Sequence, residues 1–348
     1  MTMAEPAVSP ESQVADPEAG ALLRVEDLVV NFRHERGGVV QAVSGVTFEL
    51  AAGETLGLVG ESGCGKSTTA KAIMRLLRPS GGRIIFDGVG IHDLGSRQLR
   101  RLRPSFQMVA QDPAAAVNPL RTVRKILQEP LRIWQKDAAS TWDDQVSQML
   151  EAVGLDPSVV ADRQPHELSG GQLQRVCVAR AIMLQPKLLV ADEPIASLDV
   201  SIQAQILNLV LDLRERLGLA MLLIAHDLAA VRAVSDRVAI MYLGKLCEIG
   251  PVVDIYDAPA HPYTRALLAS VPRMSERGAV PAQLAGDVPS PLDPPSGCRF
   301  RTRCPLATAL CADQEPLLRE IAPGRRVACH YADGPAVHAT MATASEES

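Results

Sequence analysis

The stretch Gly60-Glu61-Ser62-Gly63-Cys64-Gly65-Lys66-Ser67, followed by Thr68, fits the full pattern G-x-x-x-x-G-K-[ST]. Glycines let the backbone wrap closely, so that successive N–H groups point at phosphate oxygens. The helix expected to start near Lys66 adds its positive end. Lys66 is then placed to reach β- and γ-phosphates, and the Ser67 hydroxyl to coordinate Mg²⁺. A second group lies about 120 residues on, where the apolar run Leu188-Leu189-Val190-Ala191 ends in Asp192-Glu193. A buried strand there delivers Asp192 beside Mg²⁺ and leaves Glu193 to polarise an attacking water as a general base. Leu168-Ser169-Gly170-Gly171-Gln172 forms a third group, with Ser169 as a natural helix N-cap and two glycines at a positive helix end. Two phosphate-binding ends exceed what one nucleotide needs, so the second is expected to serve a nucleotide held by another subunit. The last group is Cys298, Cys304, Cys311 and Cys329, spaced C-x5-C-x6-C-x17-C. Four thiolates suit tetrahedral zinc or a [4Fe–4S] cluster, with His330 as a further candidate ligand. The close C-x2–4-C pairs usual for zinc are absent, and the alternative to both metals is a set of reduced thiols packing as small hydrophobes.

The elements that must hold these groups are legible in outline. Leu23 to Val30, Ala42 to Leu50 and Glu54 to Val59 read as strands, and the last runs into the glycine-rich loop. The helix after the loop keeps Ala70, Ile73, Met74 and Leu77 on one face and stops before Pro79 and Gly81-Gly82. From about 93 to 180 helical periods dominate, which predicts a helical subdomain inserted in an α/β core. Strand and helix then alternate: Leu188 to Ala191, a helix from Ser201 to Leu217, Ala220 to Ala225, Val238 to Tyr242 and Lys245 to Glu248. That alternation argues for a largely parallel sheet. Residues 1–20 read as a disordered leader, and the chain beyond Gly250 as a Pro-rich, loop-like extension.

Composition narrows the function. The 348 residues are 47% hydrophobic and 22% charged, with a net charge of −5. An acidic chain with 3% aromatics lacks the basic footprint and stacking surface of a nucleic-acid binder. The longest apolar run, Leu217 to Ala225, is half the ~18 residues a membrane span needs. No basic, apolar-cored leader opens the chain, and seven cysteines is an odd number for a disulfide framework, so a cytosolic setting is expected.

With these motifs in this order, the sequence resembles the ATP-binding cassette (ABC) family over about Leu22 to Gly250. The resemblance implies a P-loop NTPase (RecA-like) α/β core with an antiparallel β-subdomain and the inserted helical subdomain (about 93–180), in a nucleotide-binding domain at 21–250. It implies that Gln111 is the Q-loop glutamine, which touches Mg²⁺ (with Ser67 and Asp192) and water and relays nucleotide state to the membrane partner, that Ser197-Leu198-Asp199 is the D-loop, that His226 is the switch histidine at the γ-phosphate, and that Phe32 stacks on adenine. Two cassettes would pack head to tail, each ATP lying between the 60–67 loop of one subunit and Ser169, Gly170, Gly171 and Gln172 of the other. Gln111 to Pro119, His261 to Leu268, Gly286 to Ser290 and Gly297 to Pro305 resemble the ATPase subunits of bacterial oligopeptide/dipeptide permeases, a group that includes nickel importers. The 251–348 extension would then be of the peptide-importer type, and cysteine-tailed ATPases of this branch favour the [4Fe–4S] reading. The implied function is an ATP hydrolase powering peptide import from the cytoplasmic face of the cell membrane. Its partners would be a second cassette (paralogue or self), two transmembrane permeases and an extracytoplasmic binding protein. The alternatives are a nickel or other small-solute importer of the same branch, an exporter cassette, and a soluble ATPase of repair or chromosome mechanics. The last is opposed by the acidic charge and by the lack of heptads between loop and signature.

Overall fold

The computed structural model describes residues 20–34, 37–195, 199–270 and 286–332. The leader up to residue 19, and Ser197 and Leu198 of the expected D-loop, lie outside the described residues.

The chain begins with two long antiparallel strands, β1 (Ala21–Arg33) and β2 (Val39–Ala51). Leu23 and Val25 on one, and Val46, Phe48 and Leu50 on the other, are buried at every second position, as the strand period requires. β3 (Thr55–Val59) is buried at all five positions, the mark of an inner strand covered on both faces. It delivers the chain to the 60–65 loop and to α1 (Lys66–Ile73), whose Ala70 and Ile73 face the core together with Met74 just beyond its end, as the sequence pattern requires. β4 (Gly81–Phe86) and β5 (Val89–Gly90) complete a four-stranded sheet in the order β2-β1-β4-β5. In the sequence Gly81-Gly82 only bounds the preceding helix, and no strand is expected here. Ile84 and Phe86 are nonetheless buried against the core, and tertiary pairing with β1 outweighs the weak local propensity of a strand that opens on two glycines.

The inserted region holds α2 (Ser96–Leu102), β6 (Phe106–Val109), α3 (Pro113–Ala116), α4 (Val123–Trp134), α5 (Trp142–Ala152), α6 (Pro157–Val160) and α7 (Gly170–Ile182). Val123, Ile126, Leu127 and Leu131 form one stripe of α4 and meet Val146 and Leu150 of α5 and Val176 of α7 in a separate core. Within 93–180 the strand β6 stands among helices. That strand pairs parallel with β7 (Leu188–Asp192) and belongs to the central sheet.

α8 (Val200–Leu217), β8 (Ala220–Ala225), α9 (Leu228–Val234), β9 (Arg237–Tyr242) and β10 (Lys245–Pro251) follow. The extension then folds more fully than its composition suggests, into α10 (Val252–Asp257), α11 (Pro262–Ala269), α12 (Ala309–Asp313), β11 (Arg319–Ala322) and β12 (Arg325–Val327). The central sheet runs β11-β12-β10-β9-β3-β8-β7-β6. Its β9, β3, β8, β7 and β6 are mutually parallel, and β10, β12 and β11 continue it antiparallel. The extension thus shares a sheet with the cassette, through Glu248 opposite Val327 and Ile249 opposite Arg326. Glu248 is fully buried there and accepts from the amides of Ala260 and His261 at 3.0 and 2.9 Å and from Arg325 Nη2 at 2.7 Å. Tyr263 and Phe300 of the extension pack on Tyr242 with ring centroids 4.7 and 5.3 Å away. Among the described residues no helix is long and apolar enough to cross a membrane.

Candidate functional site

The phosphate-type loop sits at the carboxyl end of β3, flanked by β8 and β9, where ligands bind in open parallel sheets. Two of its glycines are fixed by space. A Cβ on Gly60 would lie 2.0 Å from the Met241 carbonyl oxygen, and one on Gly65, where φ is +106°, would lie 2.2 Å from that of Ala42. Lys66 is 5% exposed, and its Nζ donates to the carbonyl oxygens of Gly60 at 2.7 Å and Glu61 at 3.0 Å. Its charge is therefore held inside the curve of the loop. Ser62 and Gly63 stand exposed at the rim, Thr68 is half-buried on the first turn of α1, and burial pushes the Cys64 thiol up.

β7 brings Asp192 to the same place. Its Oδ1 accepts from the Ser67 hydroxyl at 2.9 Å, and the residue is 2% exposed. Burial raises its carboxyl above the usual range, against the pull of the Ser67 hydrogen bond. A hydroxyl and a carboxylate oxygen in contact beside a buried lysine form a hard-oxygen donor pair that fits Mg²⁺ bound with a phosphate chain.

Glu193 follows with φ at +48°, a conformation that costs a non-glycine residue about 1–3 kcal/mol and persists where the surroundings over-determine it. Its amide donates to the Ile224 carbonyl at 2.9 Å, which ties the turn to β8. Its Oε2 accepts from Gln111 Nε2 at 2.8 Å and lies 3.6 Å from Nδ1 of the exposed His226. Each partner is set by a short capped helix. Asp112 caps α3 by accepting from the amides of Ala114 and Ala115, with Pro113 at the first helical position, so Gln111 stands just before it. Asp227 caps α9 through the amides of Ala229 and Ala230, which fixes His226 at the end of β8. The structure thus brings Lys66, Ser67, Asp192, Glu193, Gln111 and His226 together from residues spread over much of the chain. A carboxylate held between an amide and an imidazole can accept a proton from water at the loop.

Ser169 caps α7, accepting from the Gln172 amide at 3.3 Å while the Gln172 side chain accepts the Ser169 N–H at 3.0 Å. Ser169 and Gly170 are exposed, and Gly171 is buried against Ile202 of α8. Among the described residues no hydrogen bond joins Ser169–Gln172 to the 60–67 loop, and Ser169 and Gly170 are open to solvent. Asp199, the described member of the expected D-loop, stands at the N-cap position of α8 without a side-chain cap hydrogen bond and is exposed. Phe32 lies near the end of β1, 39% exposed.

Two features lie beyond the motifs. The side chain of Glu61, a residue of the expected nucleotide loop, meets Arg303 of the extension, with Nη1–Oε2 at 2.7 Å and Nη2–Oε1 at 3.0 Å. No motif announces this contact, because the partners are 242 residues apart. The second is the cysteine group. Cys298, Cys304, Cys311 and Cys329 do line one cavity, but it measures about 10 Å³, room for about one water molecule. Burial raises the thiols of Cys298, Cys304 and Cys329, that of Cys304 to about 11, which favours the protonated form. His330 Nε2 lies 3.1 Å from the Gln314 carbonyl oxygen. Among the described residues no three His, Cys, Asp or Glu side chains are grouped to hold a metal ion. The expected iron–sulfur or zinc ligation is therefore not supported; the four residues form no disulfide and gather around this one cavity.

Comparison with known proteins agrees with this geometry. The profile of the ABC transporter family matches residues 43–196, and that of the oligopeptide/dipeptide transporter C-terminal region matches residues 247–311. The oligopeptide transport ATP-binding protein AppF of Bacillus subtilis is 50% identical over 297 residues, covering 84% of this chain and 90% of AppF. Among solved structures, the dimeric, ADP- and phosphate-bound post-hydrolysis state of the cassette MJ0796 aligns with a TM-score of 0.61 at 25% identity, covering 66% of this chain and 98% of that one. CbiO1 of Clostridium perfringens, part of a cbiONQ transporter complex, aligns with the same TM-score at 28% identity, covering 69% and 92%. The fold and the loop define a P-loop nucleotide-binding cassette. The chain belongs to the ABC transporter family, in the branch that carries the oligopeptide/dipeptide transporter C-terminal region.

Proposed function

We propose that this chain is the ATP-binding and ATP-hydrolysing subunit of a peptide importer. The observation that carries the reading is the convergence of Lys66, the Ser67–Asp192 pair and the Gln111–Glu193–His226 group at one loop. Lys66 and the loop amides bind the phosphates, and Ser67 and Asp192 would hold Mg²⁺, which would supply neutralisation of phosphate charge. Glu193 accepts the proton of the attacking water, Gln111 orients its carboxylate, and His226 lies beside it to sense the γ-phosphate. The exposed Ser169 end of α7 completes the site of a second cassette, and Phe32 stacks on the adenine. Peptide import, as opposed to another cargo, is supported by the likeness of residues 247–311 to the oligopeptide/dipeptide C-terminal region and by the name of the AppF relative. In this reading the chain lies on the cytoplasmic face of the membrane, against two permeases, served by an extracytoplasmic binding protein. A [4Fe–4S] cluster in the extension is a separate proposal, supported by the meeting of four thiols at one cavity; iron and sulfide analysis of anaerobically purified protein decides it. The main reading is tested by ATP-driven uptake of labelled oligopeptide into proteoliposomes holding the complete complex. Uptake that persists with Glu193→Gln in every cassette site would refute it.

A further inference from the structure

Every polar group of Glu61, the second residue of the phosphate loop, is held. Its carbonyl oxygen accepts from the Lys66 ammonium at 3.0 Å. Its amide donates to the hydroxyl of Tyr263, on α11 of the extension, at 2.9 Å. Its carboxylate takes both arms of Arg303, also of the extension, in a planar two-bond fork. The Arg303 side chain is 3% exposed, and its guanidinium lies 5.8 Å from the Tyr242 ring centroid, with the Tyr242 hydroxyl 3.4 Å from Nη1. A paired guanidinium so enclosed has one geometry, and it imposes that geometry on the loop. A second strap runs in parallel. Arg299 donates to Gln41 Oε1 at 2.6 Å and Ser44 Oγ at 3.0 Å on β2, and to the Leu243 carbonyl oxygen. The next amide, that of Gly244, donates to the Cys64 carbonyl oxygen at 2.9 Å, again in the loop.

The extension therefore reaches the loop directly at Glu61 and, through the Leu243–Gly244 peptide, at Cys64, both ahead of Lys66 in the chain. From this geometry we infer that Arg303 and Tyr263 are positioning residues of the nucleotide site: they fix the peptide planes of Glu61 and, through its carbonyl, the place of the Lys66 charge. The inference rests on the reading of the 60–67 loop as the ATP phosphate site. It makes nucleotide affinity a property of the docked extension as well as of the cassette, although no group of the extension touches phosphate.

The experiment is calorimetric Mg-ATP binding to the full-length chain, with melting temperatures measured alongside. Tyr263→Phe removes one hydroxyl inside a retained aromatic cluster and is expected to weaken ATP about three- to tenfold with a melting temperature lowered by only a few degrees. Arg303→Lys keeps the charge but loses the fork and is expected to weaken ATP about tenfold. Glu61→Gln is expected to match it, and the double variant to be no weaker than either single, because the two act as one contact. In the assembled transporter KM for ATP should rise by the same factor with kcat kept, since Gln111 and His226 meet at Glu193, whereas Tyr263 and Arg303 meet at Glu61. Affinities within twofold of wild type in both Tyr263→Phe and Arg303→Lys, multiplicative effects in the double variant, or a loss confined to kcat would overturn the inference. Lys66→Ala separates the two levels. If it abolishes binding while the extension variants bind normally, the positioning role fails and the nucleotide site stands; if it binds ATP normally, the nucleotide reading fails.

Discussion

Replacing Glu193 by Gln changes the charge and the basicity of one group and little else. The side chains have the same length, and an amide at 193 can turn its own oxygen to accept the Gln111 N–H that now reaches Oε2 at 2.8 Å. The backbone at φ +48° is held by the Ile224 carbonyl and not by the carboxylate, so the turn survives. Asp192 gains slightly, because the neighbouring negative charge of Glu193 adds to the burial that raises its carboxyl. ATP binding is therefore expected to stay at or above the wild-type level, with a lasting ATP-bound dimer on size-exclusion chromatography. What disappears is the proton acceptor. A positioned general base contributes about 10²- to 10⁴-fold. At 1.36 kcal/mol per decade that is about 3–5 kcal/mol of barrier. Phosphate release by the assembled transporter should fall by at least about a hundredfold at saturating ATP. A fall of less than tenfold, with binding intact, would mean that Glu193 does not take the proton and that the Gln111–Glu193–His226 arrangement serves another purpose.

Ser169→Arg is expected to abolish hydrolysis at the site formed with a partner's loop while leaving ATP binding by the isolated subunit unchanged; equal loss in the isolated subunit would place the signature in its own site. It should also cost about 1 kcal/mol through the lost helix cap, visible as a small drop in melting temperature. Arg325→Ala leaves the fully buried Glu248 without its cation and should destabilise the chain by about 3–5 kcal/mol, read as a shift in denaturant midpoint, with residues 286–332 becoming protease-sensitive first. His261 is buried, accepts the Tyr263 amide through Nδ1, and is lowered by burial to about 4 from 6.5. Between those values the unfolded chain binds a proton that the folded chain does not, so stability falls as pH drops through that window. His261→Asn, which keeps a cap acceptor, should lose about 2 kcal/mol less than wild type between pH 7 and pH 5 in chemical denaturation.

The groups that carry the chemistry were legible because each is local. The 60–67 spacing, the apolar run into Asp192-Glu193 and the Ser169 cap are written in consecutive residues, and their side chains lie where local rules put them. Gln111 and His226 could be named only by resemblance, since a lone amide or imidazole has no spacing to mark it; their meeting at Glu193 is a tertiary fact. β4 escaped because its opening glycines mark only the end of the preceding helix, and β6 because a four-residue strand inside a helical region leaves no period to count. The extension misled most. Its prolines suggest loops, yet β12 finds a partner in β10, and Arg299 and Arg303 find theirs more than 200 residues earlier. Spacing grouped its cysteines correctly around one cavity but could not give the cavity's size.

The order of strands in the central sheet bears on how the protein is made. β3, the strand that carries the phosphate loop, is synthesised early, but its neighbours β8 and β9 emerge about 160 to 180 residues later, and Tyr263 and Arg303 later still. Contacts this distant form late, after the entropy of closing the long intervening chain has been met. A nascent polypeptide stalled before residue 220 has β1 and β2 to pair but nothing on either side of β3 to hold the loop, whose apolar strand is then a target for chaperones. Nucleotide binding thus becomes possible only once translation has passed the residues that complete the sheet, and ATP retention on ribosome-bound chains of graded length would report when the fold closes.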